Sequence, residues 1–305
     1  MKNFNRRHFL QTTGYLAAGT VLANAFCANA ATILHQKQKV NISGHIWVYA
    51  SKFPPKWDST PVIEQAFADF QFAGLNGMEI MEVNLRHENA VTHLRELAEQ
   101  YNVPVTGASY GAAMWDATKH TEILEDAELV ISRLHQLNGK TFGVSVGDAG
   151  HIKTEAEMHA QANLLNKLIT MCNKYGVVLN LHNHTYEVEN GLHDLKGTLS
   201  RIPDIKLGPD LNWLIRAGVD PVWFINIYGK QIVYMHLRDQ GSDHKWTETV
   251  GSGMTDFKKI ASALKQQNFK GRAAVELAFD NPPVNPLKDD WKNSLEFVRK
   301  TFDWA

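Results

Sequence analysis

Residues 177–184 read Val177-Val178-Leu179-Asn180-Leu181-His182-Asn183-His184, an apolar run that stops abruptly in polar side chains. A short, β-branched apolar run of this kind is typical of a buried strand in a parallel sheet. Comparable runs recur along the chain, and helical patterns of apolar residues lie between them. This alternation of strand and helix predicts an α/β fold built on a parallel sheet.

Eight candidate strands follow one another from residue 41 onward. They lie at 45–50, 77–83, 103–108, 140–146, 177–182, 205–210, 231–237 and 272–277. Eight strand–helix pairs in about 265 residues predict a single-domain (β/α)₈ TIM barrel over residues 41–305. The alternative is a doubly wound open sheet, which normally carries a glycine-rich turn after its first strand. The segment Ser51-Lys52-Phe53-Pro54-Pro55 is no such turn.

Composition argues against two classes of partner. The chain of 305 residues is 44% hydrophobic and 21% charged, with a formal net charge of −1. Without a basic block it lacks the electrostatic footprint of a nucleic-acid-binding protein. After the N-terminal segment there is no apolar run of about 18 residues, so we expect no stable membrane insertion.

The first thirty residues have the pattern of a targeting segment. Arg6 and Arg7 precede an apolar stretch that ends in Ala28-Asn29-Ala30, and the segment contains no acidic residue. This pattern resembles a twin-arginine signal peptide and predicts export to the periplasm, with residues 31–40 as a short linker. A first helix of the fold is the alternative. Removal of residues 1–30 leaves Cys172 as the sole cysteine, so we expect no intramolecular disulfide.

Four consecutive predicted strands end in residues that bind metal ions. These residues are His182, Asp210, His236 and Glu276, with gaps of 28, 26 and 40 residues. Each gap is about one strand–helix unit, so a closed barrel would bring the four side chains together at its C-terminal face. Two imidazoles and two carboxylates suit a divalent ion; we expect Mn²⁺ first, with Zn²⁺, Co²⁺ or Fe²⁺ as alternatives. Each residue alone could instead be an ordinary core side chain or a helix cap.

Several motifs carry a resemblance to a known group of proteins. They are Gly77-Met78-Glu79-Ile80, Leu181-His182-Asn183-His184-Thr185-Tyr186-Glu187, Asp210-Leu211-Asn212-Trp213-Leu214-Ile215-Arg216-Ala217-Gly218, His236-Leu237-Arg238-Asp239, Val250-Gly251-Ser252-Gly253 and Glu276. In order and spacing they resemble the xylose isomerase-like superfamily of sugar isomerases and epimerases, which also contains endonuclease IV. The resemblance implies a metal-dependent isomerase or epimerase that abstracts a proton next to a carbonyl through a metal-stabilised enediolate.

The chain departs from the ketose epimerase pattern at two positions. The resemblance implies Glu, Asp, His and Glu as ligands, and His182 stands in place of the first carboxylate. In the epimerases that carboxylate and the strand-eight carboxylate move protons on opposite faces of the substrate. Here Glu276 and Glu187 are the carboxylate candidates for catalysis, and His184 could act as base instead. Trp213 replaces a substrate-contacting histidine of the epimerases.

Four further residues are candidates for substrate binding. Arg238 could bind a substrate oxygen or anion, or form a surface ion pair. Trp47 and Trp213 could stack on a sugar ring, or simply pack. Glu79 could form hydrogen bonds at the barrel mouth, or serve the structure alone.

These observations leave three hypotheses for a small-molecule sugar or glycoside. The first is the isomerase or epimerase. The second is a lyase or hydratase that acts on 3-keto glycosides by β-elimination, which export and the loss of one carboxylate both favour. The third is a non-catalytic sugar-binding barrel, whereas the endonuclease chemistry would need further metal ligands. A homo-oligomer is compatible with each hypothesis.

Overall fold

The computed structural model describes residues 37–305. The predicted signal peptide, residues 1–30, and residues 31–36 of the predicted linker lie outside the described residues. Residues Lys39–Ala305 form one unit.

Eight strands are formed within the described part of the chain. They are β1 (Ile42–His45), β2 (Met78–Met81), β3 (Val105–Gly111), β4 (Thr141–Ser145), β5 (Val178–Leu181), β6 (Lys206–Leu207), β7 (His236–Leu237) and β8 (Ala273–Glu276). All paired strands are parallel and follow the order β6-β5-β4-β3-β2-β1-β8-β7. Two parallel bridges, Leu207 with Ile232 and Asp210 with His236, join the β6 and β7 segments and close the ring. The predicted TIM barrel is therefore confirmed, and the alternative of a doubly wound open sheet is excluded.

Helices surround this ring. They are α1 (Trp47–Ala50), α2 (Ile63–Ala73), α3 (Glu82–Arg86), α4 (Ala90–Tyr101), α5 (His120–Gln136), α6 (Glu155–Lys174), α7 (Thr185–Arg201), α8 (Leu211–Arg216), α9 (Pro221–Tyr228), α10 (Phe257–Gln266) and α11 (Leu287–Phe302). Short 3₁₀ turns precede α2 at Thr60–Val62 and α5 at Ala117–Lys119. None of the helices in residues 37–305 has both the length and the hydropathy needed to cross a membrane.

The prediction of the first strand at 45–50 was wrong. The strand covers Ile42–His45 and pairs with β2 and β8, while Trp47–Ala50 forms one helical turn. The apolar residues of that turn are buried, and a short buried helical segment has the same apolar pattern as a buried strand. His45 consequently stands at the C-terminal end of its strand rather than at the beginning.

The segment after β5 also differs from the prediction. Helix α7 begins at Thr185, but positive φ angles at Asn190, Gly191 and Leu192 interrupt it. The part after this break corresponds to the helical pattern seen in the sequence at 193–201. The part before the break is a single turn that carries His184 at its N-cap and Glu187 in its first turn.

The strands β6 and β7 are only two residues long. After β6 the chain passes through Gly208 and Pro209 before it reaches Asp210. A Cβ atom on Gly208 would lie 1.8 Å from Asn180 Oδ1, so a side chain at this position would require the Asn180 side chain to move. The backbone N–H of Gly208 donates to Leu181 O at 2.8 Å, which places Asp210 beside the end of β5.

Candidate active site at the C-terminal face of the barrel

A cavity of about 410 Å³ opens at the C-terminal ends of the strands. Polar side chains from six strand ends and several indole rings line it. The lining includes His45, Ser109, Ser145, His182, His184, His236, Arg238 and Glu276, together with Trp47, Trp213 and Trp246. The volume is of the size expected for a small-molecule site.

Sheet register explains why these side chains converge. His45 on β1 pairs with Glu79 on β2 and with Glu276 on β8. Asp210 pairs with His236 across the closure of the barrel. Paired residues of neighbouring strands point to the same face of a sheet, so His45, Glu79 and Glu276 share one layer at the mouth of the barrel. Asp210 and His236 also point inward but start one layer below, because His236 pairs with Ala274, two residues before Glu276.

Asp210 divides its two carboxylate oxygens between two tasks. Oδ1 accepts hydrogen bonds from the backbone N–H groups of Asn212 at 2.9 Å and Trp213 at 3.1 Å, and so caps α8. Oδ2 is buried, takes no part in the helix cap and lies 3.0 Å from Arg238 Nε. The helix-cap alternative for Asp210 therefore holds for one oxygen and leaves the other available as a ligand.

Each of the four predicted ligands offers a buried atom of this kind. Within the described chain, His182 Nδ1 lacks a hydrogen-bond partner, Asp210 Oδ2 faces Arg238 Nε at 3.0 Å, and His236 Nδ1 and Glu276 Oε2 face each other at 2.8 Å. Ligand atoms of His182, Asp210 and His236 lie within 4.8 Å of one another. Since a buried polar atom without a partner is costly, such a convergence of nitrogen and oxygen donors fits a divalent metal ion. A second group that meets the same distance criterion is His45, Glu79 and His236.

A buried carboxylate orients the central histidine. His236 Nε2 lies 2.7 Å from Glu79 Oε2, and the hydroxyl of Tyr234 donates to the same oxygen at 2.8 Å. An N–H on Nε2 leaves Nδ1 free to bind a metal ion, which is the usual arrangement for a metal-binding histidine. Burial opposes a charge on His236, but Glu79 and Glu276 outweigh it and raise the pKa of the metal-free imidazole to about 10.

Arg238 lies among the predicted ligands rather than on the surface. Its side chain is buried, its Nε is 3.0 Å from Asp210 Oδ2, and its Nη2 contacts Glu276 Oε1. The guanidinium carbon lies 5.5 Å and 4.7 Å from the ring centres of Trp213 and Trp246. Although burial disfavours a charge on Glu276, Arg238 and two imidazoles hold the pKa of this carboxyl well below its usual range.

The net charge of the buried side chains around the predicted ligands is close to that needed to neutralise a divalent cation. Glu79, Asp210 and Glu276 carry three negative charges when ionised, and Arg238 carries one positive charge. His182 contributes none, because burial and the neighbouring His236 lower the pKa of its imidazole well below the ordinary value. Once metal binding displaces the proton of His236, the resulting excess of two negative charges is what a divalent cation neutralises.

The two catalytic candidates that follow β5 have different surroundings. Glu187 is buried and accepts hydrogen bonds from Ser145 Oγ at 2.6 Å, Val146 N at 2.8 Å and His184 N at 2.5 Å. This carboxylate ties α7 to the end of β4 and is not among the residues that line the cavity. His184 does line the cavity, and its ring stacks on Tyr186 at a centroid distance of 5.3 Å.

The candidates for substrate binding are likewise separated by the fold. Trp47 and Trp213 line the cavity, where Trp213 meets Trp246 edge to face at 5.2 Å. Such exposed aromatic faces suit the apolar faces of sugar rings. Glu79 is buried beneath His236 and acts through that residue. Glu79 is therefore not among the residues that line the cavity, and its hydrogen bonds are made to Tyr234 and His236.

Sequence reasoning missed His45 and Ser109. His45 Nε2 lies 3.1 Å from Ser109 Oγ, and its Nδ1 accepts a hydrogen bond from Trp47 N at 3.2 Å. The same Nδ1 is 3.6 Å from Glu276 Oε1. The signal that could have identified His45 is the run Ile42-Ser43-Gly44-His45, which ends in an imidazole, much as His182 directly follows β5.

Solved structures resemble this barrel along nearly its whole length. A sugar phosphate isomerase/epimerase from Parabacteroides distasonis superposes with a TM-score of 0.70 at 13% identity, covering 90% of this chain and 98% of the other. The 3-keto-D-glucoside 4-epimerase from E. coli has a TM-score of 0.67 at 17% identity, with coverages of 86% and 100%. At these identities the likeness establishes a common fold.

Curated sequences give a second comparison. Inosose dehydratase from Clostridium beijerinckii is 24% identical over 272 residues, which is 78% of this chain and 89% of that protein. Inosose dehydratase from Lacticaseibacillus casei is 22% identical over 268 residues, with coverages of 77% and 88%.

A family model decides the membership of the chain. The model of the xylose isomerase-like TIM barrel matches residues 67–301. This range contains strands β2 to β8, helices α3 to α10 and most of α2 and α11. The resemblance inferred from the sequence motifs is confirmed by this match, and the chain belongs to the xylose isomerase-like TIM barrel family.

Proposed function

We propose that this protein is a lyase that removes a proton from the carbon next to the carbonyl group of a keto-carbohydrate and then expels the β-substituent. The observation that carries the proposal is the asymmetry of the site. A carboxylate, Glu276, stands on β8, and two imidazoles, His182 and His184, stand at the end of β5. Epimerisation by two opposed carboxylates lacks its second member here.

Glu276 is the proposed base. Its Oε1 contacts Arg238, and its Oε2 is buried and lies 2.8 Å from His236 Nδ1. The other two carboxylate candidates are engaged, since Glu187 accepts three hydrogen bonds and Glu79 holds His236. A base must lie within reach of the substrate, and of these three carboxylates Glu276 is the one that lines the cavity.

The remaining residues bind the substrate and assist the leaving group. Trp47, Trp213 and Trp246 provide faces for the ring of the substrate. His184 reaches the cavity with 37% of its side chain exposed and can deliver a proton to the departing oxygen. A divalent ion held by His182, Asp210 and His236 would supply electrophilic polarisation of the carbonyl group.

The reaction balances without an added oxidant. Glu276 takes the proton, the electron pair of the C–H bond forms the enolate, and the bond between the β-carbon and its oxygen breaks. The leaving oxygen receives a proton from His184 or from water. The names of the curated relatives support this assignment, because dehydration of an inosose is the loss of a hydroxyl group from a cyclic ketone.

Epimerisation or isomerisation is the second candidate. An imidazole at the end of β5 could return the proton to the opposite face, and one structural neighbour is named as a 3-keto-D-glucoside 4-epimerase. Both reactions begin with the same proton abstraction. They differ in whether the carbon skeleton keeps its substituents.

One experiment separates these reactions. The purified protein is incubated in D₂O with Mn²⁺ and either an inosose or a 3-keto glucoside, and the products are followed by NMR. Release of water or of the aglycone with formation of an enone supports the lyase. Deuterium exchange with an intact skeleton supports the epimerase, and binding without any exchange supports the sugar-binding barrel.

Variants link the result to the proposed base. Glu276→Gln should abolish both exchange and elimination. Glu82→Gln, which neutralises a different carboxylate at the rim of the cavity, should keep turnover within about threefold of wild type. Exchange that persists in Glu276→Gln would disprove the assignment of Glu276 as the base.

The proposed location follows from the substrate. We infer that residues 1–30 direct the protein to the periplasm, where glycosides that are not phosphorylated are found. N-terminal sequencing of the protein isolated from cell fractions tests this inference. A periplasmic protein that begins near residue 31 is expected, and an uncleaved cytoplasmic protein would contradict it.

A further inference from the structure

We propose that the N-terminal face of the barrel carries a second binding site, for a small organic molecule with two or more phosphate or carboxylate groups. The site is a cleft of about 500 Å³ between the segments at the start of β4, β5, β7 and β8. It is called the basic cleft after the four cations that line it, Lys140, Lys230, Lys270 and Arg272. The proposed function uses the opposite face of the barrel and is independent of this site.

The basic cleft is separate from the candidate active site. Arg272 lies directly before β8 and lines the cleft, whereas Glu276 ends the same strand and lines the cavity at the other face. Four residues of extended chain span about 13 Å. Val178 and His182 repeat this arrangement at β5. A ligand therefore occupies the cleft without entering the catalytic cavity.

The charge of the cleft is positive and is not balanced by neighbouring side chains. Its described lining contains four cations and no Asp or Glu, although the whole chain has 31 basic and 32 acidic residues. None of the four forms an ion pair within residues 37–305. The 36 residues that precede the described part contain no acidic residue either. A concave site lined by one sign of charge attracts ligands of the opposite sign.

Strand pairing fixes two of the cations. The backbone N–H of Lys140 donates to Thr106 O at 2.8 Å, and its carbonyl oxygen accepts from Val178 N at 2.8 Å. The N–H of Arg272 donates to Val233 O at 2.9 Å. Both residues are thus held in the sheet before any ligand arrives, which lowers the entropy lost on binding.

The two lysines at the other positions come from the connections that follow α9 and α10. Lys270 follows Phe269, which is buried, and precedes Gly271. A Cβ atom on Gly271 would lie 2.4 Å from Val233 O, so the two connections approach each other closely at this glycine. The approach brings the segment of Lys270 against the segment of Lys230. Both lysine side chains are exposed and reach a ligand in the cleft without breaking an ion pair.

The shape of the cleft favours a small molecule over a charged polymer. Its volume is in the range of small-molecule sites, whereas a chain with a net charge of −1 lacks the extended basic surface that a polymer requires. Val178, Ile232 and Val233 add apolar lining. A guanidinium group binds phosphate or carboxylate through two parallel hydrogen bonds, and lysines add point charges. The set fits a short carbon skeleton that carries several oxyanion groups.

Calorimetry with two probes tests the proposal. The metal-loaded protein is titrated at low ionic strength with 2,3-bisphosphoglycerate and with propane-1,2,3-tricarboxylate, and glycerol serves as the uncharged control. At least one probe should bind in a 1:1 ratio, with an affinity that falls as NaCl is added, and glycerol should not bind. The stronger of the two probes identifies phosphate or carboxylate as the preferred group. Binding of neither probe would overturn the proposal.

Two double variants that remove equal charge locate the binding. Lys230→Gln with Lys270→Gln should weaken the bound probe by about tenfold or more, because each exposed charge contributes up to about 1 kcal/mol. Lys167→Gln with Lys258→Gln changes exposed lysines that line neither cavity and should leave the affinity within about twofold. Equal losses in the two double variants would show that the probe responds only to the net charge and would overturn the site.

NMR supplies a location that does not depend on any variant. The amide signals of Gly229 and Gly271 should shift on addition of the bound probe, while those of Gly251 and Gly253 at the other face should not. Shifts confined to the C-terminal face would refute the basic cleft as the binding site. Because neither probe is a keto-carbohydrate, these results stand apart from the lyase, and a protein without turnover would still bind the probe in the cleft.

Discussion

Replacing Asp210 by Asn should remove the metal ion while leaving the barrel folded. The two hydrogen bonds that cap α8 are accepted by Oδ1, and Asn is as good an N-cap residue as Asp. The change does remove the charge that faces Arg238 Nε at 3.0 Å, but Arg238 keeps Glu276 as a partner. We expect a loss of about 1–2 kcal/mol in the free energy of unfolding, below the roughly 3–5 kcal/mol of a buried pair that loses one partner, because Arg238 still has Glu276 to pair with.

Asp210→Ala provides the matched comparison. It also loses both cap hydrogen bonds, which costs a further 0.5–2 kcal/mol or about 1 kcal/mol typically. In a domain of this size about 1 kcal/mol corresponds to roughly 2–4 °C in Tm. The Tm measured in a chelating buffer should therefore fall by about 2–8 °C in Asp210→Asn and by about 2–4 °C more in Asp210→Ala.

Titration calorimetry with Mn²⁺ supplies the second half of the test. Both variants should bind the ion more than about 100-fold more weakly than wild type, because loss of even an outer partner of a ligand costs 10–100-fold. Equal melting temperatures of the two variants would refute the claim that the Asp210 side chain stabilises α8 as its N-cap. Wild-type Mn²⁺ affinity in Asp210→Asn would refute Asp210 as a ligand.

Two further changes test the surroundings of the site and the fold. Glu187→Ala removes the acceptor of three hydrogen bonds and should destabilise the barrel by about 3–5 kcal/mol, with Glu187→Gln losing about half as much, as measured by urea denaturation; a fully stable but inactive Glu187→Gln would instead identify a catalytic carboxylate. Burial raises the pKa of Asp290 to about 6, so the native state binds this proton more tightly than the unfolded state does. Its contribution to stability is complete below about pH 4 and is lost as the pH rises through 6. Asp290→Asn should therefore stabilise the protein at pH 8 by about half of the roughly 2.7 kcal/mol that two pKa units represent, after solvent screening, and should give no gain at pH 3.5. An equal gain at both pH values would contradict this assignment.

The fold could be predicted because most of the strands coincide with a local sequence pattern. Seven of the eight strands lie inside their predicted ranges or overlap them strongly, because a buried parallel strand is a short apolar run between polar turns. The prediction of the first strand was wrong because the run from Ile46 to Ala50 is apolar for another reason, the burial of a helical turn. The four-residue displacement hid His45 at the strand end.

The candidate site was only partly accessible from the sequence. The spacing of His182, Asp210 and His236 follows from one strand–helix unit after another, and the fold brings these residues together. The environment of Glu187 depends on the backbone N–H of Val146 and the hydroxyl of Ser145, which lie about forty residues earlier in the chain. No local pattern reveals such a contact.

The contact of Arg238 with Glu276 has the same origin. The sequence allowed Arg238 either a surface ion pair or a contact with substrate, because it does not show whether the side chain is buried. Strand register decides this, since it places Arg238 beside Glu276 inside the barrel. Register is set by the pairing of segments forty residues apart, which a motif cannot specify.

The two departures from the epimerase pattern act together on the proposed chemistry. A carboxylate at position 182 would add a negative charge and a base on the β5 side, whereas His182 adds neither, since its imidazole stays neutral. Arg238 removes one more unit of negative charge from the layer. An enolate formed by Glu276 then faces no carboxylic acid on the β5 side that could protonate its opposite face. The partly exposed His184 is better placed to protonate a leaving oxygen than to return a proton to the carbon. We therefore expect the enolate to expel its β-substituent.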